Sequence, residues 1–284
     1  MNQQYTLIGH PLGHSMSPWI HERLFRLAGV QASYTLTDIA PETLRSSVEE
    51  LRSLCGFNVT IPYKTDIIPF LSQMDETAER YQSVNTVAVR GSGELHGFNT
   101  DCTGFLASVG EIHPGDRILL VGCGGVGRMM ATECYLRGAK LTITERDIPR
   151  AHALMEELTS RFTGTGGRIR VLDGAPPEEF DWLMNATPVG MFPRTEGCPV
   201  SDAVIEGCTK VFDVIYNPTE TQLIRKAREM GKDAVGGAAM LVRQAAAAQS
   251  IWLGCTFSED DLTALIHDME AEVSRLFPVK EGQG

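Results

Sequence analysis

Residues 116–127, DRILLVGCGGVG, place an apolar run directly before a cluster of glycines. The run is typical of a strand buried on both faces, and a helical pattern to about Arg137 follows the glycines. A further strand is predicted from Lys140 to Thr144. The glycines fit the pattern G-x-G-x-x-G, which lets the backbone approach a pyrophosphate at the N-terminus of a helix. A tight strand–helix turn without a ligand is the alternative interpretation.

With strand, helix and next strand in place, the sequence predicts a Rossmann-type unit that binds a dinucleotide. The residues predicted to hold the pyrophosphate half are Gly122, Gly124, Gly125, Val126 and Gly127.

The residues after the second strand bear on the choice between NAD and NADP. Glu145 lies near the ~20-residue spacing at which a carboxylate holds the ribose 2′-hydroxyl of NAD. Arg146 and Arg150 argue for NADP, because guanidinium groups bind a 2′-phosphate. Charges of a solvated surface turn are a third interpretation, and the balance favours NAD slightly.

Short apolar runs alternate with helical patterns over most of the chain, which predicts an α/β fold with a largely parallel sheet. A strand is predicted to end at Gly9, followed by a helix with Ser17 as its N-cap. Further strands are predicted over 57–61, 84–89 and 211–215.

Composition excludes several classes of function. The 284 residues carry a formal net charge of −11, which disfavours nucleic-acid binding. No apolar run approaches the ~18 residues of a membrane span, and the N-terminus lacks the pattern of a secretion signal. The seven cysteines form no Cys-x-x-Cys pair, so we expect reduced thiols and a cytoplasmic location. His10, His14 and His21 fit no compact metal motif, and no metal is predicted.

Polar groups follow several predicted strands of the first hundred residues. Ser15 and Ser17 lie at a strand–helix junction, where hydroxyls and the helix dipole are available to a carboxylate. Lys64 lies just past the end of a strand, where ligands of α/β proteins tend to bind. Asn85 and the run 99–101 (Asn-Thr-Asp) complete the set. Each group alone is ordinary turn or cap chemistry.

Taken together and in this order, these stretches resemble the shikimate dehydrogenase family. The matching stretches are Gly9-His-Pro-Leu-Gly-His-Ser15-Met-Ser17-Pro, Asn58-Val-Thr-Ile-Pro-Tyr-Lys64, Ser83-Val-Asn85-Thr, Gly97-Phe-Asn99-Thr-Asp101, Val121-Gly-Cys-Gly-Gly-Val-Gly127, Asn185-Ala-Thr-Pro-Val-Gly-Met191, Asp213-Val-Ile-Tyr216-Asn-Pro218 and Gly237-Ala-Ala-Met240-Leu-Val-Arg-Gln244-Ala. The resemblance covers nearly the whole chain.

The resemblance implies roles for individual residues. Lys64 and Asp101 match the family's catalytic pair, and Ser15 and Ser17 would bind the substrate carboxylate. The residues that would hold the ring hydroxyls, joined by Asp101, are Thr60, Asn85 and Gln244. The residues that would line the nicotinamide half of the cofactor are Thr187, Ile215, Tyr216, Gly237 and Met240.

The resemblance also implies the architecture. It predicts an N-terminal α/β substrate domain over residues 1–101, completed by C-terminal helices over 237–284, and a Rossmann-type NAD(P)-binding domain over 102–236. We expect the ligands in a cleft between the two domains. Monomer and homodimer are both left open.

The implied reaction is the NAD(P)H-dependent reduction of 3-dehydroshikimate to shikimate in chorismate and aromatic amino acid biosynthesis. An ammonium such as that of Lys64 supplies a proton and positive charge at the developing alkoxide, and Asp101 keeps it oriented. The family implies NADP, whereas Glu145 and Asp147 replace the Asn and Thr of its usual Asn-Arg-Thr run and favour NAD.

Two alternatives remain. One is an NAD-dependent quinate/shikimate dehydrogenase, against which Ser17 argues, because quinate-using relatives often carry threonine there. The other is a non-catalytic sensor of shikimate-like ligands, which has less need of Lys64 and Asp101.

Overall fold

The computed structural model describes residues 3–13 and 15–278, which form two six-stranded sheets and the helices around them. The strands are β1 (Gln3–Gly9), β2 (Ala32–Asp38), β3 (Gly56–Val59), β4 (Gln73–Met74), β5 (Thr86–Arg90), β6 (Glu94–Phe98), β7 (Arg117–Val121), β8 (Lys140–Thr144), β9 (Arg168–Leu172), β10 (Phe180–Asn185), β11 (Cys208–Asp213) and β12 (Asp233–Val235). The α-helices are α1 (Ser17–Leu27), α2 (Leu44–Leu51), α3 (Glu76–Tyr81), α4 (Thr100–Val109), α5 (Gly125–Leu136), α6 (Ile148–Arg161), α7 (Asp202–Glu206), α8 (Gln222–Glu229), α9 (Gly237–Leu253) and α10 (Glu259–Leu276).

The chain divides into two compact units. The first runs to Gly104 and includes Val242–His267; the second comprises Phe105–Leu241 and the residues from Asp268 onward. These divisions fall a few residues from the predicted boundaries at 101 and 237, and they split α10 between the units. The predicted domain assignment stays a prediction.

The first unit contains a mixed sheet with the strand order β2-β1-β3-β5-β6-β4. β1, β2 and β3 are parallel, whereas β5 runs antiparallel to both β3 and β6. The expectation of a largely parallel sheet is therefore wrong for this unit. The cause is a tight connection between β5 and β6, in which Gly91 and Gly93 adopt positive φ angles of 50° and 103°.

Both faces of this sheet are buried. Ile8 packs with Val48 and Phe57 in one core, whereas Tyr5 and Leu7 pack with Trp252 in the other. Alternate residues of β1 point to opposite faces, so this strand contributes to both cores.

The second unit contains an entirely parallel sheet with the order β12-β11-β10-β7-β8-β9. Counted from β7, this is the strand order 6-5-4-1-2-3 of a Rossmann fold. The order reverses between β7 and β10, and ligands of such folds bind at that reversal, beyond the carboxyl ends of the strands. The predicted Rossmann-type fold is confirmed.

Several predicted elements need correction at their ends. The strand predicted over 211–215 is β11, which ends at Asp213. The first helix, α1, was predicted to have Ser17 as its N-cap, but it begins at Ser17 and has Met16 as its N-cap. Within the described ranges, no helix combines the length and the apolar character needed to cross a membrane.

Candidate active site

Antiparallel pairing brings the polar motifs of the first unit to one edge of its sheet. Lys64 follows β3 after a short turn, and Asp101 follows β6 in the first turn of α4. Asn85 precedes β5, and because β5 runs opposite to β3 its start lies beside the end of β3. The backbone confirms this placement, since the Val59 N–H donates to the Asn85 carbonyl at 2.8 Å.

Lys64 and Asp101 form a direct ion pair at this edge. Lys64 Nζ donates to Asp101 Oδ2 at 2.6 Å, and the side chains are 26% and 18% exposed. Asn85 Nδ2 donates to the other carboxylate oxygen at 2.9 Å. The carboxylate is therefore fixed at both oxygens while the ammonium stays accessible, as a proton donor to a ligand requires.

Asn85 connects this pair to the buried polar groups around it. Its Oδ1 accepts the Thr100 N–H at 2.7 Å, and its Nδ2 lies 3.5 Å from Gln244 Oε1 on α9. The structure thus brings together four residues of the predicted site: Lys64, Asp101, Asn85 and Gln244. Their predicted roles toward a substrate stay predictions.

A second layer of polar groups beneath Asn85 was not predicted as part of the site. Asn58 Nδ2 donates to the Asn85 carbonyl at 3.0 Å and to Thr86 Oγ1 at 2.9 Å. Asn58 Oδ1 accepts the Tyr34 hydroxyl at 2.7 Å. An asparagine between Phe57 and Val59 in a buried strand was the available signal, because a buried amide requires partners.

The two predicted carboxylate-binding serines contact each other at the start of α1. Ser15 Oγ accepts the Ser17 N–H at 3.2 Å. The prediction that Ser17 caps this helix is therefore wrong; Ser15 accepts from the first helical residue, and Ser17 is that residue. Thr60, at the end of β3, joins β1 through a bond from its N–H to the Ile8 carbonyl at 2.9 Å.

The histidines near the N-terminus have local roles. The His21 ring is buried and stacks on Tyr34 at 4.1 Å, and burial lowers the pKa of His21 to about 3. His10 Nδ1 lies 2.7 Å from Asp38 Oδ1, and His14 lies outside the described residues. Among residues 3–13 and 15–278, no group of three or more His, Cys, Asp or Glu side chains is placed to hold a metal ion.

The glycine-rich turn of the second unit connects β7 to α5 as predicted. Gly122 has a φ of 90°, which favours glycine, and a Cβ on it would lie 2.6 Å from Thr187 Cγ2. A Cβ on Gly127 would lie 2.2 Å from the Gly122 carbonyl oxygen. These two glycines therefore allow the tight turn and the close packing of α5 on it, and Thr187 lies against the turn.

Gly124 has a different role, because it faces open space. It is the N-cap of α5, it has no side chain to cap the helix, and a Cβ on it would meet no atom within 4 Å. The N–H groups of the first helical turn are thus available to an anion. The turn fits the pyrophosphate of a dinucleotide.

Gly124→Ala is expected to leave the fold intact and to weaken dinucleotide binding about tenfold or more, because the added methyl group occupies the path of the pyrophosphate. Its φ of −64° and ψ of −168° are open to alanine without strain. Fluorescence titration with NAD⁺ and NADP⁺, combined with the melting temperature, measures both quantities. Gly127→Ala is the contrasting variant, which should lower the melting temperature itself. Unchanged affinity in a folded Gly124→Ala protein would contradict the assignment of the turn.

Two neighbouring strand ends hold the predicted nicotinamide loops. Asn185 Nδ2 donates to Asp213 Oδ1 at 2.9 Å across the ends of β10 and β11. Asn185 Oδ1 accepts the Thr187 hydroxyl at 2.7 Å, and Asp213 Oδ1 accepts the Ile215 N–H at 3.1 Å. Gly237 joins the same loops, since its N–H donates to the Ile215 carbonyl at 3.0 Å.

The other two residues predicted near the nicotinamide are Tyr216 and Met240. Met240 is buried in the first turns of α9, and burial raises the pKa of the Tyr216 phenol. The contacts of the described residues place Thr187, Ile215 and Gly237 in one loop cluster, and the contact of each with a cofactor stays a prediction.

Burial raises the pKa of Asp213 to about 6, against the hydrogen bonds from Thr221, Ile215 and Asn185 that lower it. In the unfolded chain the Asp213 carboxyl has a pKa of 3.8, so it loses its proton at a lower pH there than in the folded protein. The contribution of the protonated carboxyl to the free energy of unfolding is therefore fully present below about pH 4 and is lost as the pH rises through 6. At neutral pH the ionised group costs the folded state about 3 kcal/mol.

Asp213→Asn removes this titration, and its melting temperature relative to wild type should therefore rise between pH 4.5 and pH 7.5. Thermal denaturation across that range measures the difference. Asp268→Asn, at an exposed carboxylate on α10, is the control for the substitution itself. A difference for Asp213→Asn that stays constant with pH would contradict the raised pKa.

Glu145, directly after β8, is bound to the glycine-rich turn. Its Oε2 accepts the Cys123 N–H at 2.9 Å, and its Oε1 accepts the Asp147 N–H at 3.2 Å. Arg150, in the first turn of α6, forms an ion pair with Asp147, with 3.3 Å between the guanidinium and the carboxylate.

The second unit is a parallel sheet with a glycine-rich turn at the strand reversal, and the first unit is an α/β unit with a lysine–aspartate pair. These features define a dinucleotide-binding protein of the Rossmann class. The family profile described as the shikimate dehydrogenase substrate binding domain matches residues 7–87. The shikimate dehydrogenase (NADP(+)) of Caldanaerobacter subterraneus subsp. tengcongensis is 36% identical over 262 residues, which cover 90% of this chain and 93% of that protein. The chain belongs to the shikimate dehydrogenase family.

Two solved structures of shikimate 5-dehydrogenases are similar to this chain. The shikimate 5-dehydrogenase of Thermus thermophilus, in complex with NADP(H) and shikimate, matches with a TM-score of 0.82 and 30% identity, covering 94% of this chain and 99% of that one. The shikimate 5-dehydrogenase of Listeria monocytogenes, in complex with shikimate and NAD, matches with a TM-score of 0.80 and 29% identity, covering 93% and 96%.

Proposed function

We propose that this chain is a shikimate dehydrogenase, which catalyses the reversible NAD(P)H-dependent reduction of 3-dehydroshikimate to shikimate. The observation that carries the proposal is the ion pair of Lys64 and Asp101, fixed by Asn85 at the edge of the first sheet. Membership of the family supports shikimate and 3-dehydroshikimate as the substrates. The Thermus thermophilus relative, whose structure is a complex with shikimate, supports the same substrates.

Binding of the substrate requires an anion site and several hydroxyl partners. Ser15 and Ser17, at the start of α1, offer hydroxyls and the positive end of a helix to the carboxylate. Thr60, Asn85 and Gln244 offer donors and acceptors to the ring hydroxyls. These contacts orient the carbonyl carbon, and such positioning supplies a large part of the rate enhancement.

Reduction of a ketone requires a hydride and a proton. The nicotinamide supplies the hydride when the dinucleotide is bound on the glycine-rich turn. Lys64 donates the proton to the oxygen as negative charge develops there, and its positive charge stabilises that oxygen. Asp101 keeps the ammonium in place, and in the reverse direction the Lys64 amine takes the proton back from the hydroxyl.

The proposal is tested by steady-state kinetics with four combinations, shikimate or quinate with NAD⁺ or NADP⁺. We expect turnover of shikimate and a lower kcat/KM for quinate. Shikimate binding without turnover would favour the ligand sensor, and a preference for quinate with NAD⁺ would favour the quinate/shikimate dehydrogenase. The cytoplasmic location stays a prediction from the sequence, and the choice between monomer and homodimer stays open.

A further inference from the structure

The carboxylate of Glu145 is fixed against the glycine-rich turn by both of its oxygens. One accepts the Cys123 N–H of the turn and the other accepts the Asp147 N–H at the start of the next loop. A carboxylate that accepts a hydrogen bond at each of its two oxygens has little freedom to move away from a ligand. Its position directly after β8 is the one at which Rossmann-type proteins contact the adenosine ribose.

This carboxylate is negatively charged at neutral pH. Burial raises the pKa of Glu145, but the hydrogen bonds from the backbone of Cys123, Asp147 and Arg146 outweigh it, so the net shift is downward. The neighbouring thiol responds to the same charge. Burial and then the charge of Glu145 raise the pKa of Cys123 to about 11.

Two arginines and two carboxylates follow β8, and one pair of them is in direct contact. Asp147 Oδ2 pairs with the Arg150 guanidinium at 3.3 Å, and Asp147 Oδ1 accepts the Arg150 N–H at 3.2 Å. Glu145 and Asp147 together balance the formal charges of Arg146 and Arg150. A 2′-phosphate, which carries about two negative charges, therefore meets no net positive charge here.

A ribose with a free 2′-hydroxyl meets a more favourable partner. The fixed carboxylate of Glu145 accepts a hydrogen bond from a hydroxyl, and bonds to a charged acceptor are stronger than neutral ones. The same carboxylate repels a phosphate. The residues therefore fit NAD and disfavour the additional phosphate of NADP.

We propose that this chain prefers NAD(H) to NADP(H), in contrast to its relatives named for NADP(+), and that Glu145 sets the preference with support from Asp147. The inference rests on the proposed function only in that a nicotinamide dinucleotide binds to the glycine-rich turn.

Equilibrium binding tests the inference apart from turnover. Titrations of the wild-type chain with NAD⁺ and NADP⁺, followed by protein fluorescence or calorimetry, should give a Kd for NAD⁺ at least about tenfold lower, a difference of about 1.4 kcal/mol. Glu145→Gln retains the shape and an acceptor but removes the charge, and it should reduce the ratio of the two constants about tenfold, mainly through tighter binding of NADP⁺.

Glu156→Gln is the matched control. Glu156 is exposed on α6, outside the turn, and its substitution should leave both dissociation constants unchanged. Asp147→Asn is a second variant, which keeps an acceptor for the Arg150 N–H and releases the Arg150 guanidinium from its partner. It should tighten NADP⁺ binding and leave NAD⁺ binding unchanged.

The outcomes separate this inference from the proposed function. A wild-type chain that binds NADP⁺ more tightly than NAD⁺, or a folded Glu145→Gln variant with the wild-type ratio, would overturn the inference even if shikimate is turned over. Tighter binding of NAD⁺ without turnover of shikimate would support the inference and contradict the proposed function. Binding of neither dinucleotide would contradict both.

Discussion

Lys64→Ala is expected to lower kcat for shikimate oxidation by ~10²–10⁴, with a smaller change in KM. The ammonium lies 2.6 Å from Asp101 Oδ2, and in the proposed mechanism it exchanges a proton with the reacting oxygen. The substrate contacts that we assign to Ser15, Thr60 and Gln244 stay in place, so binding should change less than turnover. Steady-state kinetics with the preferred dinucleotide measures both constants.

A matched lysine provides the control for this variant. Lys226 Nζ lies 2.6 Å from Asp202 Oδ1 in the second unit, and Lys226→Ala removes an ion pair of the same length outside the site. We expect Lys226→Ala to leave kcat unchanged. Lys64→Ala should also keep its melting temperature, because Asn85 still holds the Asp101 carboxylate. Turnover near the wild-type value in a folded Lys64→Ala protein would refute the assigned role.

The second unit could be predicted closely around its glycine-rich turn, because β7 and β8 are short apolar strands that are buried except at their first residue. β8 (Lys140–Thr144) has the predicted bounds, and the turn at 122–127 connects a strand to a helix as its glycines require. In a parallel sheet, position is set by short local patterns and by right-handed crossovers. The sequence signal and the structure therefore agree.

The first unit was harder to predict because its sheet is mixed. Antiparallel pairing places the start of β5 and the end of β6 at the same edge, so Asn85 and Asp101 meet although they occupy opposite ends of their strands. The sequence alone places each residue next to a strand, but it does not state the direction of the neighbouring strand. The resemblance to the family predicted that Asn85 and Asp101 share a site, but it gave no strand direction.

The layer beneath the site depends on pairing between distant residues. Asn58 contacts Tyr34 and Thr86, which lie on strands far apart in the sequence. A buried asparagine predicts that partners exist, because an unsatisfied amide costs about 1–3 kcal/mol. Identification of the partners requires the sheet register, which no local pattern contains.

The proposed NAD preference is the opposite case: the sequence named the residues, and the structure gives the contacts from which we infer the preference. In the sequence, the charge of Glu145 favours NAD, whereas the charges of Arg146 and Arg150 favour NADP. The structure gives two of these charges a partner: the turn for Glu145 and Asp147 for Arg150. Fixed charges count for more than solvated ones, because their geometry does not relax away from a ligand.

Asp101→Ala is expected to lower kcat by ~10²–10³, since the ammonium loses the group that holds it in place. Asp101→Asn should lose nearly as much. Its amide would have to present its NH₂ group either to Lys64 Nζ or to Asn85 Nδ2, and both of these are donors. An asparagine variant with wild-type kcat would show that the negative charge is not required.

The double variant Lys64→Ala/Asp101→Ala separates joint from independent action. If Asp101 acts through the position of the ammonium, its removal has little left to disturb once Lys64 is gone, so the loss in kcat should be close to that of Lys64→Ala alone. Independent contributions would instead multiply the two single losses. Kinetics of the four proteins, each checked for its melting temperature, measure the coupling directly, and a multiplicative result would mean that the ion pair is not the catalytic unit.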